Sequence, residues 1–481
     1  MPELKIHTPE GTLTKRFDGE VLLYELLADM PDSPGRPCGG GGSCGGCRVA
    51  AQGGLSEAPD ADGYVRACCT RATGDCEVWL PKRQTVAQIE TGTPEMLHAL
   101  EPMAGEYGSA VDLGTTTIVL RLFSLKDGRE LATVSCENPQ RAVAADVIGR
   151  IESALKGRLP MLRAMVRGAV DQLEQKAFQL AGIGARADVR VVAGNTTMMY
   201  LYTGRNPETL SHAPFEADCL FGMREKNEWL PACAGAFVGA DITCAVLAGG
   251  MMQSDATTML VDIGTNGEIV LRHNGKLYCC ATAAGPAFEG GGISCGTGSI
   301  PGAVDTVRAQ AGKLEYTTIG GAEAGGVCGS GLIDLLAALL DLEWMDETGA
   351  LDDDVEVAPG VTLTQKDIRQ VQLAKGAIAA GMQVLMARAG IGCGDVKKLY
   401  IAGGFGSHLN LNSAARIGLI PPQLAGKAVV LGNASLGGAQ RLLLDKQAWE
   451  TACAIAGKAE CLNLAEEADF TDAFMECMMF E

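Results

Sequence analysis

A chain of 481 residues, 47% hydrophobic and 20% charged, is long enough for about two or three domains with packed cores. Its formal net charge of −19 argues against nucleic acid or an anionic membrane surface as partner. No apolar run reaches the length of a membrane span, because Asp241 interrupts the best one at 236–252. The opening Met1-Pro2-Glu3-Leu4-Lys5 lacks the basic-then-apolar layout of a secretion signal, so a cytoplasmic protein is expected. In that compartment the 18 cysteines read as reduced thiols or metal ligands, not disulfides.

In chain order, Leu4–His7 and Thr12–Phe17 flank the turn Thr8-Pro9-Glu10-Gly11 with mostly alternating apolar and polar residues, a hairpin pattern. Val21–Met30 carries apolar residues at helical spacing and Pro31 ends it. Cys38, Cys44 and Cys47 then lie on one loop made almost wholly of glycine, and Cys68-Cys69 follow in a later segment. Asp75–Leu80 reads as a closing strand. Zinc ribbons show two separated Cys-x-x-Cys pairs, and this segment has one. A [2Fe–2S] cluster needs four thiolates and gains from backbone N–H donors, which a glycine loop supplies in number.

Two strands, a helix and Cys-x5-Cys-x2-Cys resemble the β-grasp ferredoxins of the plant-type class, with five residues in the first gap instead of four. The resemblance implies Cys38, Cys44, Cys47 and Cys68 as ligands, the last within Arg66-Ala67-Cys68-Cys69-Thr70. The doubled cysteine keeps Cys69 in reserve. A ferredoxin-like domain over 1–83 and a linker over 84–107 are expected.

Beyond it, one phrase occurs twice: Val111-Asp112-Leu113-Gly114-Thr115-Thr116-Thr117 and Val261-Asp262-Ile263-Gly264-Thr265-Asn266-Gly267. Each runs from an apolar residue and Asp through a glycine turn into an apolar stretch, as a β-hairpin with a slim tip does. Backbone N–H groups and hydroxyls of such a tip can approach a phosphate. Asp112 and Asp262 stand where a Mg²⁺ held through water would lie. Two copies suggest a duplicated core closing on one triphosphate, with lobes at 108–250 and 251–481.

Between the copies, a helix restarting after Pro160 buries Leu162, Met165 and Val166. The strand Val189–Ala193 delivers Gly194-Asn195 to a helix start, which is either an anion site or a plain cap. After the second copy, the run 284–290 presses backbone against ligand or partner lobe, and its Glu289 is a candidate for ordering the attacking water. Gly329 and Ser330 join the nucleotide-binding set, with Ser330 as candidate N-cap of a helix over Leu332–Leu340. Thr364 and Asp367 form a capping box for a long helix that buries Ile368, Val371, Ile378, Met382 and Leu385 and ends at Gly390. The strand Leu399–Ala402 feeds Gly403-Gly404-Phe405, where backbone can lie flat against adenine or ribose.

Two phosphate hairpins followed by a late Gly-Gly loop resemble the superfamily of acetate and sugar kinases, heat-shock chaperone ATPases and actin (ASKHA). The implied fold is a multidomain α/β and α+β chain, a β-grasp domain followed by a two-lobed actin-like ATPase. The phrases around Asp112, Gly194, Glu289, Ser330 and Gly403 together resemble the ATP-dependent reductive activators of corrinoid proteins. That family implies reduction of inactive Co(II) to Co(I), at a potential below the ~−400 mV of a plant-type centre, so the step must be coupled to ATP. It also implies Asp112, Asp262 and Glu289 as catalytic groups and one [2Fe–2S] cluster, ATP and Mg²⁺ as cofactors. A corrinoid protein and a cellular electron donor are the implied partners, and a homodimer is compatible with them. Cys453, Cys461 and Cys477 are too widely spaced for the C-terminal [4Fe–4S] domain some members carry. The alternatives are an activator of another low-potential enzyme such as a 2-hydroxyacyl-CoA dehydratase, a small-molecule kinase with an appended ferredoxin, and an ATP-gated binding module.

Overall fold

A computed structural model describes residues 1–8, 11–27, 30, 47–60, 63–80, 101–404 and 409–480. Cys38, Cys44 and Phe405, named above as ligands and as an adenosine contact, lie outside the described residues. The chain divides into two compact units, Met1–Val86 with Pro139–Arg150, and Ala87–Asn138 with Ile151–Glu481.

The first unit is a six-stranded sheet of β1 (Glu3–Thr8), β2 (Gly11–Arg16), β3 (Val21–Leu22), β4 (Arg48–Leu55), β5 (Tyr64–Arg66) and β6 (Arg71–Trp79), in the order β2-β1-β6-β4-β5 with β3 also on β6. Alternation places Leu4 and Ile6 of β1 inward. They pack with Leu23 and Leu27 of the short helix α1 (Leu23–Leu27) and with Val49, Val65 and Val78. The helix expected from Val21 begins two residues later. Val21 and Leu22 pair with Ala72 and Arg71 instead, and the Leu23 and Tyr24 N–H groups donate to the carbonyls of Thr70 and Ala67, both at 3.0 Å. A sheet position with backbone partners overrides the helical spacing of two β-compatible side chains.

The second unit repeats one plan. In its first half β7 (Tyr107–Leu113), β8 (Thr117–Ser124) and β9 (Glu130–Glu137) form an antiparallel meander. The chain re-enters this unit at Ile151, within the helix α2 (Val147–Ser153), and α3 (Leu159–Leu180) then leads to β10 (Val189–Ala193), which lies parallel to β7. Next come α4 (Thr196–Thr203), β11 (Met223–Glu225), β12 (Glu228–Leu230) and α5 (Ala240–Ala248), giving the order β11-β12-β10-β7-β8-β9. In the other half β13 (Thr258–Ile263), β14 (Gly267–His273) and β15 (Lys276–Thr282) repeat the meander. Two smaller sheets follow, β16 (Ala303–Gln310) with β17 (Lys313–Thr318) and β18 (Gly326–Val327), and β19 (Val355–Ala358) with β20 (Val361–Leu363). The helices α6 (Gly329–Asp341) and α7 (Gln365–Ala389) belong to this half. β21 (Lys398–Gly403) lies parallel to β13 as β10 does to β7. After α8 (Leu411–Arg416) and α9 (Pro422–Ala425) come β22 (Ala428–Gly432), α10 (Ala434–Leu444), α11 (Ala448–Lys458), β23 (Ala459–Cys461) and α12 (Phe470–Cys477), with the order β22-β21-β13-β14-β15-β23.

β8 and β14 are buried along nearly their whole length because both faces of each sheet are covered, so even Arg121 and Glu268 lie inside. The capping box at Thr364 and Asp367 is present, and Gly390 ends α7 in the left-handed conformation. Ile368, Val371, Ile378, Met382 and Leu385 are all buried. Midway along α7 the buried Lys375 donates to the carbonyls of Cys477 (2.7 Å) and Met479, which satisfies an ammonium that cannot reach water. The helices α5 and α10 cross where a Cβ on Gly438 would fall on the Cys244 carbonyl, so their backbones touch. Among the described residues no helix is long and apolar enough to cross a membrane.

Candidate functional site

Both repeated phrases form the turn of an antiparallel hairpin, β7–β8 and β13–β14. Gly114, Thr115 and Thr116 make the first tip, and Thr117 opens β8. Asn138 pins that tip, donating its backbone N–H to the Thr116 carbonyl (2.8 Å) and its side-chain amide to the Gly114 carbonyl (2.9 Å). Gly264, Thr265 and Asn266 make the second tip, and Gly267 opens β14. Glu289 joins the two: one carboxylate oxygen accepts from Thr116 Oγ1 (3.3 Å) and Thr265 Oγ1 (2.8 Å). The two phosphate-contact candidates thus meet across the cleft.

The strands beside each hairpin deliver equivalent turns. β10 pairs Ala193 with Asp112 and runs into Gly194-Asn195; β21 pairs Ala402 with Asp262 and runs into Gly403-Gly404. Asn195 does two tasks, capping α4 by accepting from Met198 N–H (2.9 Å) and donating its amide to Thr115 Oγ1 (3.0 Å). Of the two readings left open for this turn, the cap is realised here. Gly403 has φ +115°, and a Cβ there would strike the Ile263 carbonyl and lie 3.1 Å from Asp262 Oδ1. Only glycine lets this turn lie flat against the second hairpin.

Four carboxylates, Asp112, Asp241, Asp262 and Glu268, lie near enough to influence one another's ionisation. Asp112 is held at both oxygens by donors from the start of α10, Asn433 Nδ2 and Ser435 Oγ at 2.8 Å each. Burial pushes its carboxyl above the ordinary range, and these two donors oppose the shift. Asp262 lies directly opposite Glu268 on the neighbouring strand, a placement in which like charges repel. Burial, and then Asp241 and Asp112, push the Asp262 carboxyl up to about 8. Asp241, in the first turn of α5, is pushed up to about 7, chiefly by burial, and the buried Glu268 is raised well above the ordinary range by burial and by Asp241 and Asp262. Such a cluster favours a proton or a cation. Among the described residues no three His, Cys, Asp or Glu side chains are grouped to ligate a metal ion directly.

Asp241, Glu268, Asn433 and Ser435 did not figure as site residues in the sequence. Asp241 stood out only as an interruption of an apolar run, and Glu268 is legible only once Asp262 is placed on a hairpin. Ser330 is corrected. It is not the N-cap of α6; Cys328 holds that position and Ser330 lies inside the first turn. The helix starts early because Gly331 packs on β16, where a Cβ would meet the Val304 carbonyl, and the Ser330 hydroxyl donates to the Asp305 carbonyl at 3.1 Å.

In the first unit Cys47 and Cys68, both buried, have their sulfurs 3.0 Å apart, and Cys69 Sγ is 3.6 Å from Cys68 Sγ. A cluster of thiols without a disulfide is the donor chemistry an iron–sulfur centre requires. Cys68 is the one turned to Cys47, while Cys69 approaches through Cys68.

Residues 256–481 match the family described as the C-terminal domain of RACo, the ASKHA domain, and residues 107–254 match the RACo middle region. The corrinoid activation enzyme RamQ of Eubacterium limosum is 32% identical over 418 residues, 78% of this chain and 70% of that protein. The [Co(II) methylated amine-specific corrinoid protein] reductase of Methanosarcina barkeri is 25% identical over 416 residues, covering 77% and 76% of the two chains. A solved structure of a reductive activator for corrinoid, iron–sulfur protein aligns over 99% of this chain and 98% of its own, with a TM-score of 0.74 at 26% identity. The two-lobed ASKHA architecture anticipated from the paired hairpins and the late Gly-Gly loop is the one observed, and the chain belongs to the family of ATP-dependent reductive activators of corrinoid proteins.

Proposed function

We propose that this protein uses ATP to drive the reduction of an inactive Co(II) corrinoid protein to Co(I), passing one electron at a time from a cellular donor. The observation that carries the reading is the coexistence, in a chain of this family, of converging buried thiols with a two-hairpin cleft floored by carboxylates. Cys38, Cys44, Cys47 and Cys68 would hold one [2Fe–2S] cluster in a ferredoxin-like domain. When bound, it supplies a one-electron carrier.

In the cleft, the tips at Gly114–Thr117 and Gly264–Gly267 receive the phosphates, and the Gly403-Gly404 turn faces the adenosine. Asp112, Asp241, Asp262 and Glu268 would hold hydrated Mg²⁺, which supplies positive charge against the phosphates. Glu289 orders water at the terminal phosphate. Its bonds to Thr116 and Thr265 make it the group a phosphate must displace, so nucleotide binding is read directly by a contact spanning the lobes. Nucleotide changes the reduction equilibrium only through unequal affinity for two protein states. A lobe arrangement that depends on what occupies the Glu289 position provides two such states.

The test is anaerobic. The purified protein is mixed with a Co(II) corrinoid protein and a reductant, and the visible spectrum is followed. Co(I) bands that develop with MgATP and not without it are expected; equal reduction in both samples, or a colourless protein carrying zinc, overturns the proposal.

A further inference from the structure

The strand β23 adds to the edge of β15 in parallel, with Cys461 directly opposite Cys279, and Leu462 N–H donates to the Cys279 carbonyl at 2.8 Å. Residues paired in this way send their side chains to one face, with strands roughly 4.8 Å apart. That spacing falls inside the ~4.4–6.8 Å Cα separation over which two cysteines can be bridged without moving the backbone. The two thiols are close enough for each to shift the other's ionisation. Their environments differ: Cys279 is buried, whereas Cys461 is an exposed residue. The Cys279 thiol donates to the Cys461 sulfur and holds it below the ordinary thiol range, so Cys461 is the first to ionise.

The Cys461 sulfur has a second contact, 3.4 Å from the Ala234 carbonyl. The next carbonyl, Gly235, accepts from Thr196 Oγ1 at 2.6 Å, and the neighbouring Asn195 holds Thr115 of the first hairpin at 3.0 Å. A short run of polar contacts thus connects the Cys461 thiol in one lobe to the first hairpin tip in the other.

We propose that Cys461 and Cys279 form a reversible dithiol–disulfide pair, a modification site for low-molecular-weight disulfides, whose closure draws Cys461 away from Ala234 and slows ATP turnover. The Cys461 thiolate attacks one sulfur of the small disulfide. A mixed disulfide forms, and the first small thiol leaves with the proton that Cys461 gave up. Cys279 then attacks the Cys461 sulfur, the second small thiol departs with the Cys279 proton, and the protein disulfide closes. Two electrons pass from the cysteine pair to the small disulfide, which is reduced to two thiols. An excess of small thiol reverses both steps.

The test uses the full-length protein, purified anaerobically, incubated with glutathione disulfide, alkylated and mapped by peptide mass. The expected product is a linked pair of peptides containing Cys279 and Cys461, about 2 Da lighter than the two free peptides together and separated again by dithiothreitol. In C279S the modification should stop at a glutathione adduct on Cys461; in C461S, Cys279 should remain a free thiol. Wild-type protein in which Cys461 is recovered alkylated, or remains a stable glutathione adduct, overturns the pair. ATP turnover should fall on closure, recover with dithiothreitol and be insensitive to glutathione disulfide in C461S; an unchanged rate in the linked protein overturns the connection to the first hairpin.

Discussion

The two repeated hairpins have the same shape, and both end in a carboxyl that burial raises, but the neighbours of those carboxyls differ. Asp112, at the end of the first, is anchored by two donors that arrive from α10 in the other lobe. Asp262, at the end of the second, has no such donor among the described residues and faces Glu268 and Asp241. Duplication supplied two equivalent carboxylates, and their surroundings have divided the labour. One ties the lobes together; the other is left among like charges.

The sharpest way to break this comparison is D262A. Steady-state ATP hydrolysis should fall by about 10²-fold or more, since charge stabilisation at the phosphates is lost. Without nucleotide, the variant's Tm should equal or exceed that of the parent, because a repelled carboxylate is gone. A D262A protein that hydrolyses ATP at the parent rate removes the assignment. D112A should behave in the opposite sense in thermal unfolding. Its Asn433 and Ser435 donors are left without their acceptor, at a cost of about 1–3 kcal/mol, visible as a lower Tm without nucleotide.

The pH dependence of the nucleotide-free protein sharpens the same contrast. The folded protein retains protons on Asp241 and Asp262, at about 7 and about 8, that the unfolded chain has already released. Stability from these groups is therefore fully present below the unfolded carboxylate value and is lost as pH rises through 7 and 8. A Tm that declines across this range, with a shallower decline in D262A or with MgATP present, is expected; a parent slope unchanged by either would contradict it. The smallest effect belongs to Asn195. N195A removes the α4 cap and the bond to Thr115 and should cost about 1 kcal/mol, read by denaturant unfolding, with ATP turnover only modestly reduced.

Local signals were read well in the sequence. The hairpins follow from an Asp-Gly turn between apolar runs, and α7 follows from its period, its capping box and Gly390, all of which act within a few residues. What escaped was long-range. Asn433 and Ser435 look like ordinary helix-start residues until the fold carries them 321 and 323 positions back to Asp112. Glu268 acquires meaning only when register sets it opposite Asp262. The errors are local ones overruled by tertiary partners: Val21-Leu22 taken by β6, and Ser330 drawn inside α6 by packing on β16.

The touching backbones of α5 and α10 at Cys244 and Gly438 have a mechanical consequence. Helices separated by side chains can shear past one another by small rotamer changes, but a glycine seated on a carbonyl leaves no such cushion. Any relative movement of the two helices is then expected to turn about this crossing and not to slide along it. A bulkier residue at 438 would act as a wedge, splaying the jaws whatever nucleotide they held.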